Sequence, residues 1–146
     1  PVYEVVSHGI NELKVRAKRE NKKIILEGDR DQTVPCDLEW TGEAIGNIVK
    51  NALDHTDSGG IVHIMWAQSP AMVRIQIKDN GSGILPEDIH HIFKRFYRSK
   101  KSLDTQGVGL GLPLAKAIVE GQKGIISKKS ELGEGTAFTI SFLTDS

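Results

Sequence analysis

Residues 38–55 read LEWTGEAIGNIVKNALDH, the clearest helical pattern in the chain. Pro35 interrupts the backbone just before this stretch, and Asp37 is a preferred residue for the N-cap of a helix. The spacing predicts a helix from Leu38 to His55 that buries one long face against another layer. The apolar residues on that face are Ile45, Ile48, Val49, Ala52 and Leu53.

Short segments of alternating or β-branched character surround this helix, and turn residues separate them. Helices and hairpins are interspersed without a regular βαβ repeat, which predicts a two-layer α/β sandwich with a mixed sheet packed on about three helices. We expect residues 1–146 to form a single domain. Strands are predicted over Lys23–Glu27, Ile61–Ala67, Met72–Lys78, Ile125–Lys129 and Thr136–Leu143, and further helices over Ser7–Glu20, Asp88–Phe96 and Leu110–Glu120.

The composition excludes several classes of protein. Nineteen Lys and Arg residues balance nineteen Asp and Glu residues, so no net charge would attract a nucleic acid. Cys36 is the single cysteine, which excludes an internal disulfide and a multi-cysteine zinc site and fits a reducing compartment. No apolar run approaches the roughly 20 residues that span a bilayer. Because the chain starts at Pro1, we expect it to be a fragment of a longer protein.

Four polar residues form a stripe along the predicted 38–55 helix. Glu43, Asn47, Asn51 and Asp54 are spaced by four, four and three positions, so they share one helix face. This face lies opposite the apolar one and is compatible with simple exposure to solvent. Asparagine is nevertheless a poor choice for a solvated helix, and its amide oxygen is a neutral ligand that suits Mg²⁺. Both interpretations remain open.

The segment Asp79-Asn80-Gly81-Ser82-Gly83-Ile84 directly follows a predicted strand. Its composition is that of an ordinary turn, which is one interpretation. In the other, Asp79 accepts a hydrogen bond from an exocyclic amine such as that of adenine. Gly81 and Gly83 would then allow the backbone to approach a flat ring.

A second glycine cluster, Gly107-Val108-Gly109-Leu110-Gly111-Leu112, precedes a predicted helix. A helix N-terminus reached through such a turn offers free N–H groups to a phosphate. The segment from Phe93 to Lys101 lies upstream and holds five cations in nine residues, which would neutralise phosphate charge. Taken alone, that segment is equally compatible with a basic solvated loop anchored by aromatic residues.

Taken together, the motifs resemble the ATP-binding catalytic domain of bacterial two-component sensor histidine kinases. The resemblance covers nearly the whole chain and implies a Bergerat-type α/β sandwich that binds ATP between a helix and a lid. It also implies transfer of the γ-phosphoryl group to a histidine on a separate dimerisation domain. The motifs, in order, are Asn47-x-x-x-Asn51, Asp79-x-Gly81-x-Gly83, Phe93-x-x-Phe96, Gly107-x-Gly109-Leu110-Gly111-Leu112 and Gly133-x-Gly135-Thr136.

The resemblance assigns roles residue by residue. It implies that Asn51 ligates Mg²⁺, that Asn47 assists at the phosphates, and that Asp79 binds the adenine amine with support from Thr136. Arg95 and Arg98 would meet the terminal phosphates, with Asn47 and these two arginines as the catalytic group. The further positions that it implies for nucleotide contact are Asp54, His55, Gly81, Gly83, Ile84, Tyr97, Lys100, Gly107, Val108, Gly109, Leu110 and Gly111.

One residue departs from the kinase pattern, since Asp54 stands where the kinases usually have Lys. We expect Asp54 either to repel the triphosphate, so that Asp54→Lys tightens ATP binding, or to pair with Arg95, Arg98 or Lys100 over the nucleotide. The related gyrase, mismatch-repair and chaperone ATPases carry Asp there, but with a water-activating Glu at the position of Asn47. Two alternatives remain: an anti-sigma-factor-type serine kinase, and a catalytically weak nucleotide-sensing module.

No histidine of this chain fits the acceptor pattern of the family, in which an acidic residue follows at once and a proline soon after. His8, for example, is followed by Gly9-Ile10. The resemblance therefore implies two partners: a dimerisation and phosphotransfer domain of the same kinase, and a cognate response regulator. We expect a cytoplasmic location, as the cytoplasmic part of a membrane-bound sensor, with no nucleic acid bound.

Overall fold

A computed structural model describes residues 1–81, 93, 111–131 and 134–143. Three helices and five strands are defined within these ranges. In chain order they are α1 (Val2–Arg19), β1 (Lys23–Glu27), α2 (Leu38–Asp54), β2 (Ile61–Gln68), β3 (Met72–Asp79), α3 (Gly111–Gly121), β4 (Ile125–Glu131) and β5 (Gly135–Leu143).

The five strands form one mixed sheet in the order β1-β2-β3-β5-β4. β1 and β2 are parallel, whereas the other three pairs are antiparallel. The alternation predicted for β3 is confirmed, because Val73, Ile75 and Ile77 are all buried. β5 lies between β3 and β4, so the end of β3 at Asp79 comes next to the start of β5. This adjacency brings together two segments that lie far apart in the sequence.

The helices pack on one another and on one face of the sheet, which confirms the predicted α/β sandwich. The side chain of Asp37 caps α2 as predicted, accepting a hydrogen bond from the Trp40 N–H at 2.8 Å. Gln122, just after α3, accepts from the Asp37 N–H at 2.7 Å and donates to the Thr41 hydroxyl at 2.9 Å. These bonds fix the start of α2 to the end of α3 and hold the two helices side by side.

The core contains residues from all three helices and from the inner face of the sheet. Its largest side chains with almost no exposed surface are Phe138, Phe142, Ile10, Ile45, Ile48, Leu53, Ile64, Ile75, Ile77 and Ile140. All five apolar residues predicted for the α2 face are buried. The prediction that this helix covers another layer is therefore confirmed.

Several predicted boundaries differ from the structure. α1 begins at Val2 rather than Ser7, because the buried residues Val2, Val5 and Val6 extend its apolar face toward the N-terminus. α2 ends at Asp54, with His55 as the C-cap residue, and β2 and β3 each extend one residue further than predicted. The helix predicted over Asp88–Phe96 lies outside the residues described, apart from position 93. No helix in the described ranges has the length and apolar character needed to cross a membrane.

Candidate functional site

The polar stripe of α2 is not uniformly exposed to solvent. Glu43 is exposed, whereas Asn47, Asn51 and Asp54 are half-buried. The Nδ2 atom of Asn47 is buried and has no hydrogen-bond partner among the residues described. A buried donor without a partner costs free energy, so the solvated interpretation fits Glu43 only. The remaining three residues are partly covered by neighbouring parts of the fold.

The start of α3 lies next to Asn47. A Cβ atom built on Gly111 would lie 3.9 Å from Cβ and Cγ of Asn47 and 4.0 Å from its Oδ1. Gly111 is the first residue of α3, and the N–H groups at a helix start have no partners within the helix. The structure therefore brings the amide of Asn47 together with a positive helix end, an arrangement that favours anions.

Asp79 ends β3 as a buried carboxylate, with only 3% of its surface exposed. Its Oδ1 accepts from the N–H of Gly81 at 2.8 Å and from the N–H of Thr136 at 3.3 Å. Burial raises the pKa of this carboxyl above its usual value; the two backbone N–H groups and the nearby His55 oppose that shift without cancelling it. The bond to Gly81 is typical of a turn, but the burial and the bond to Thr136 go beyond what a turn requires.

Two glycines let the backbone pack closely around Asp79. Gly135 has φ +120°, which side chains rarely tolerate, and a Cβ there would collide with the carbonyl oxygen of Asp79. A Cβ on Gly81 would collide with the carbonyl oxygen of His55, at the end of α2. The glycines therefore hold the ends of α2 and β3 and the start of β5 together. The close approach at Gly81 is to the backbone of His55, and a contact of Gly81 with a ring stays a prediction.

Thr136 is buried beside Asp79, and its hydroxyl has a side-chain partner. Ser130 on β4 pairs with Thr136 in the register of the sheet, and their hydroxyl oxygens lie 3.0 Å apart. The Ser130 hydroxyl also donates to the carbonyl oxygen of Gly135 at 3.1 Å. The Thr136 hydroxyl is therefore held in place by the neighbouring strand.

Asp54 has a partner that neither of the two expectations for it included. Its Oδ1 lies 2.6 Å from Nη2 of Arg16 on α1, and the Nε of Arg16 donates to Glu20 at 2.8 Å. Lys22 completes the cluster by binding Glu20 at 2.8 Å and the carbonyl oxygen of Leu53 at 2.6 Å. The cluster joins the end of α1 to the end of α2. Its formal charge is zero, since two cations face two carboxylates.

Phe93 anchors the start of the basic segment, as its aromatic content suggested. Its ring packs edge-on against Phe138, with the ring centres 6.0 Å apart. The ammonium groups of Lys128 and Lys116 lie 5.0 and 5.8 Å from the centre of the Phe93 ring. The other site residues predicted in this part of the chain lie outside the described ranges: Gly83, Ile84, Arg95, Tyr97, Arg98, Lys100, Gly107, Val108, Gly109 and Leu110.

Sequence reasoning did not identify Arg16 and Ser130 as neighbours of the site. Ser130 could have been found by pairing the last two strands across the Gly133–Gly135 turn, which sets it opposite Thr136. No local signal marks Arg16, because its contact with Asp54 depends on how α1 packs on α2. The described residues include no group of three His, Cys, Asp or Glu side chains that could hold a metal ion.

Comparison with known protein families gives a match over residues 36–146, which covers most of the chain. The matching family is described as histidine kinase-, DNA gyrase B- and HSP90-like ATPases. The match confirms the resemblance predicted from the asparagine and glycine motifs. It also includes every predicted site residue, but it leaves α1, and with it Arg16, outside the matched range.

Individual proteins give the same result. The chain is 40% identical over 98 residues to the sensor histidine kinase RppB of Synechocystis, covering 66% of this chain and 22% of that protein. It is 37% identical over 106 residues to the sensor protein SrrB of Staphylococcus aureus, covering 71% of this chain and 18% of that protein. The chain thus spans about a fifth of the length of these relatives.

A solved structure of the mycobacterial sensor histidine kinase MprB has the same fold. The two superpose with a TM-score of 0.82 at 27% sequence identity, over 97% of this chain and 95% of that one. The agreement over nearly all of both chains includes α1, which the family match leaves out. The helix that carries Arg16 is therefore part of a shared architecture.

Proposed function

The chain belongs to the family of histidine kinase-, DNA gyrase B- and HSP90-like ATPases, and from this premise we propose that it is the ATP-binding catalytic domain of a two-component sensor histidine kinase. In this role it binds Mg-ATP, and the γ-phosphoryl group passes to a histidine on a separate dimerisation domain. A nitrogen of that histidine bonds to the γ-phosphorus while the bond to the β–γ bridging oxygen breaks and ADP leaves. The RppB, SrrB and MprB relatives support this branch of the family.

The observation that carries the proposal is the half-buried amide of Asn47 beside the start of α3. A hydrolase needs a group there that accepts a proton from water, and an amide cannot do so near neutral pH. An amide N–H can instead donate to a phosphate oxygen. The unpartnered Nδ2 of Asn47 fits that task, with the helix start at Gly111 adding its positive end.

Asp79 defines the base-binding end of the proposed site. The described residues bond to its Oδ1 only, so Oδ2 is available to accept from an exocyclic amine. A buried carboxylate that already holds two backbone donors has a fixed orientation, which suits recognition of one amine. The backbone N–H groups of Gly81 and Thr136 are the two donors. This geometry supports adenine as the base.

Asn51 fits the proposed Mg²⁺ site. It lies half-buried one turn from Asn47 on α2 and offers a neutral oxygen ligand. A magnesium ion bound there would neutralise charge on the phosphates as the γ-phosphoryl group leaves. Asp54, one turn further on, has its Oδ1 engaged by Arg16 and so is less free to act as a ligand.

Arg95 and Arg98 are proposed to neutralise the terminal phosphates. The other residues predicted to contact the nucleotide are proposed to line its binding site. The partners proposed for the domain are the dimerisation domain of the same kinase and a cognate response regulator. We also propose that the domain belongs to the cytoplasmic part of a membrane-bound sensor. Phosphoryl transfer requires mainly positioning and charge neutralisation, which this set of residues can supply.

The proposal is tested by incubating this chain with Mg²⁺ and ATP labelled at the γ-phosphate. We expect nucleotide binding without labelling of the chain, and acid-labile labelling of a histidine once the parent protein's helical dimerisation domain is added. Asn51→Ala should abolish the labelling, and Ser127→Ala, an exposed change on β4, should not affect it. Labelled histidine on the chain alone, steady phosphate release without a partner, or labelled serine on an added protein would each contradict the proposal.

A further inference from the structure

Two hydrogen bonds join Ser130 to described residues at the edge of the proposed adenine site. Its hydroxyl donates to the carbonyl oxygen of Gly135 at 3.1 Å, and its oxygen lies 3.0 Å from the hydroxyl oxygen of Thr136. Thr136 is 5% exposed, and its backbone N–H binds the same carboxylate, Asp79, that is proposed to receive the adenine amine. Ser130 therefore contacts Thr136, a neighbour of the carboxylate that is proposed to bind the base.

Directing the Ser130 hydrogen at the carbonyl of Gly135 sets the direction of the second bond. A serine hydroxyl carries one hydrogen, and that of Ser130 is used by the carbonyl of Gly135, which can only accept. The bond between the two hydroxyls then needs the hydrogen of Thr136. With its hydrogen directed at Ser130, the Thr136 oxygen can only accept any further hydrogen bond.

We infer that Ser130 is a positioning residue that makes the Thr136 hydroxyl a hydrogen-bond acceptor, and that it thereby favours adenine over guanine. Adenine carries an amine donor at C6, whereas guanine carries an acceptor oxygen there. Two acceptors, the Asp79 carboxylate and the Thr136 hydroxyl, suit the amine and leave the guanine oxygen without a donor. This inference rests on the proposed function, since it assumes that the base lies against Asp79.

Ser130 also ties β4 to β5 beside a turn, and that structural contribution alone makes a different prediction. A loosened hairpin would shift Asp79, Thr136 and Gly135 together. It would lower the affinity for ATP and for GTP to a similar degree. Loss of the directional effect would instead free the Thr136 hydrogen, so that the hydroxyl could turn and donate to the guanine oxygen. The ratio of the two affinities therefore separates positioning from stability.

The test is a calorimetric titration of this 146-residue chain with Mg-ATP and with Mg-GTP. We expect Ser130→Ala to lower the preference for ATP by about fivefold, with GTP binding unchanged or tighter. Ser130→Thr keeps the hydroxyl and should retain the preference. Ser127→Ala is the matched control, because it makes the same change on an exposed position of the same strand.

The effect should also depend on Thr136. In a Thr136→Val background, Ser130→Ala should change the ATP to GTP ratio no further, since there is no hydroxyl left to orient. Ser130→Cys, of similar size but a weaker hydrogen-bonding group, replaces Ser130→Ala if that variant does not fold. An unchanged ratio in folded Ser130→Ala or Ser130→Cys protein would overturn the inference and leave the proposed function standing, whereas absence of ATP binding by the unmodified chain would overturn both.

Discussion

Arg16 on α1 and Asp54 on α2 form an ion pair in which Nη2 and Oδ1 lie 2.6 Å apart, although 38 positions separate the two residues in the chain. Both side chains are mostly buried, with 23% and 21% of their surface exposed. The pair offsets the negative charge of Asp54. Its effect is to connect the end of the proposed nucleotide-binding helix to a helix that the family match leaves out.

The first prediction concerns the contribution of this pair to stability. Arg16→Gln and Asp54→Asn should each lower the free energy of unfolding, and the double variant should lose less than the sum. We expect a coupling energy of about 1 kcal/mol. This is above the usual value for exposed pairs because both side chains are mostly buried. Urea unfolding of the four proteins measures it.

A second ion pair provides the control for that cycle. Lys116 and Glu120 lie 3.7 Å apart on α3, with 43% and 55% of their side-chain surface exposed. The cycle Lys116→Gln with Glu120→Gln should give no more than about 0.5 kcal/mol. Equal coupling in the two cycles would show that burial adds nothing to the Arg16–Asp54 pair.

The fold was accessible from the sequence because its elements have strong periodic patterns. The alternation in β3 and the apolar face of α2 predicted buried residues that the structure confirms. The start of α1 was missed although Val2, Val5, Val6 and Ile10 continue a helical spacing. The apolar spacing that marks the first turns of α1 is therefore present in the sequence.

The site was accessible only in part, because much of it is formed by contacts between distant segments. The hydrogen bond from Thr136 to Asp79 exists because β5 inserts between β3 and β4, which no local pattern reveals. The resemblance to a family indicated Asp79 and Thr136 because both lie in its motifs. It did not indicate Arg16, which lies on α1, outside those motifs. Ser130 lies between these cases, since strand pairing across one turn would have placed it.

The second prediction concerns nucleotide binding. Asp54→Asn leaves the Arg16 guanidinium with one carboxylate partner fewer, so the local charge near the phosphates becomes more positive. ATP should then bind about two- to threefold more tightly, with a smaller gain for ADP, because the effect is electrostatic and partly screened. Titrations at low and high salt measure it, and the gain should shrink as salt is added.

Asp54→Lys makes a poorer probe of the same question. It would set an ammonium group against the guanidinium of Arg16 and remove the pair as well, so lost stability would accompany any gain in affinity. Asp54→Asn keeps the size of the side chain and an oxygen that Arg16 can still bind, so it should cost less stability than Asp54→Lys while removing the negative charge. Weaker ATP binding by a folded Asp54→Asn protein would show that the carboxylate itself supports the nucleotide site.

The third prediction follows from the position of Glu20 between two cations. Hydrogen bonds from Arg16 and Lys22 lower its pKa from 4.5 to about 2. A carboxyl with a depressed pKa contributes stability that is fully present above about pH 4.5 and is lost as the pH falls toward 2. Glu20→Gln should therefore flatten the loss of stability in that range, measured as the urea midpoint against pH. Glu120→Gln, in the exposed pair on α3, should leave the curve unchanged.

The last prediction concerns Asp79, whose pKa is shifted in the opposite direction. Because burial raises the pKa above its usual value of 3.8, the folded chain binds the proton more tightly than the unfolded chain does. Its contribution to stability is therefore greatest below about pH 3.8 and is lost as the pH rises through the folded pKa. Asp79→Asn resembles the protonated carboxyl. Relative to the unmodified chain, its free energy of unfolding should therefore increase as the pH rises through this window.

Nucleotide binding should depend on pH with the opposite sign. The proposed contact to the adenine amine needs the ionised carboxylate as an acceptor, so ATP affinity should increase as the pH rises through the pKa of Asp79. In Asp79→Asn an amide that keeps its oxygen toward Gly81 and Thr136 turns its NH₂ toward the adenine amine, and affinity should fall at least tenfold. The variant should also lose the part of the pH dependence that belongs to Asp79, while protonation of the phosphates affects both proteins alike.

The two measurements together decide the role of Asp79. A variant that is more stable at neutral pH yet binds ATP more weakly would show that this buried carboxylate serves nucleotide binding at the expense of stability. Equal ATP affinity in the two proteins would show that Asp79 is only a turn residue.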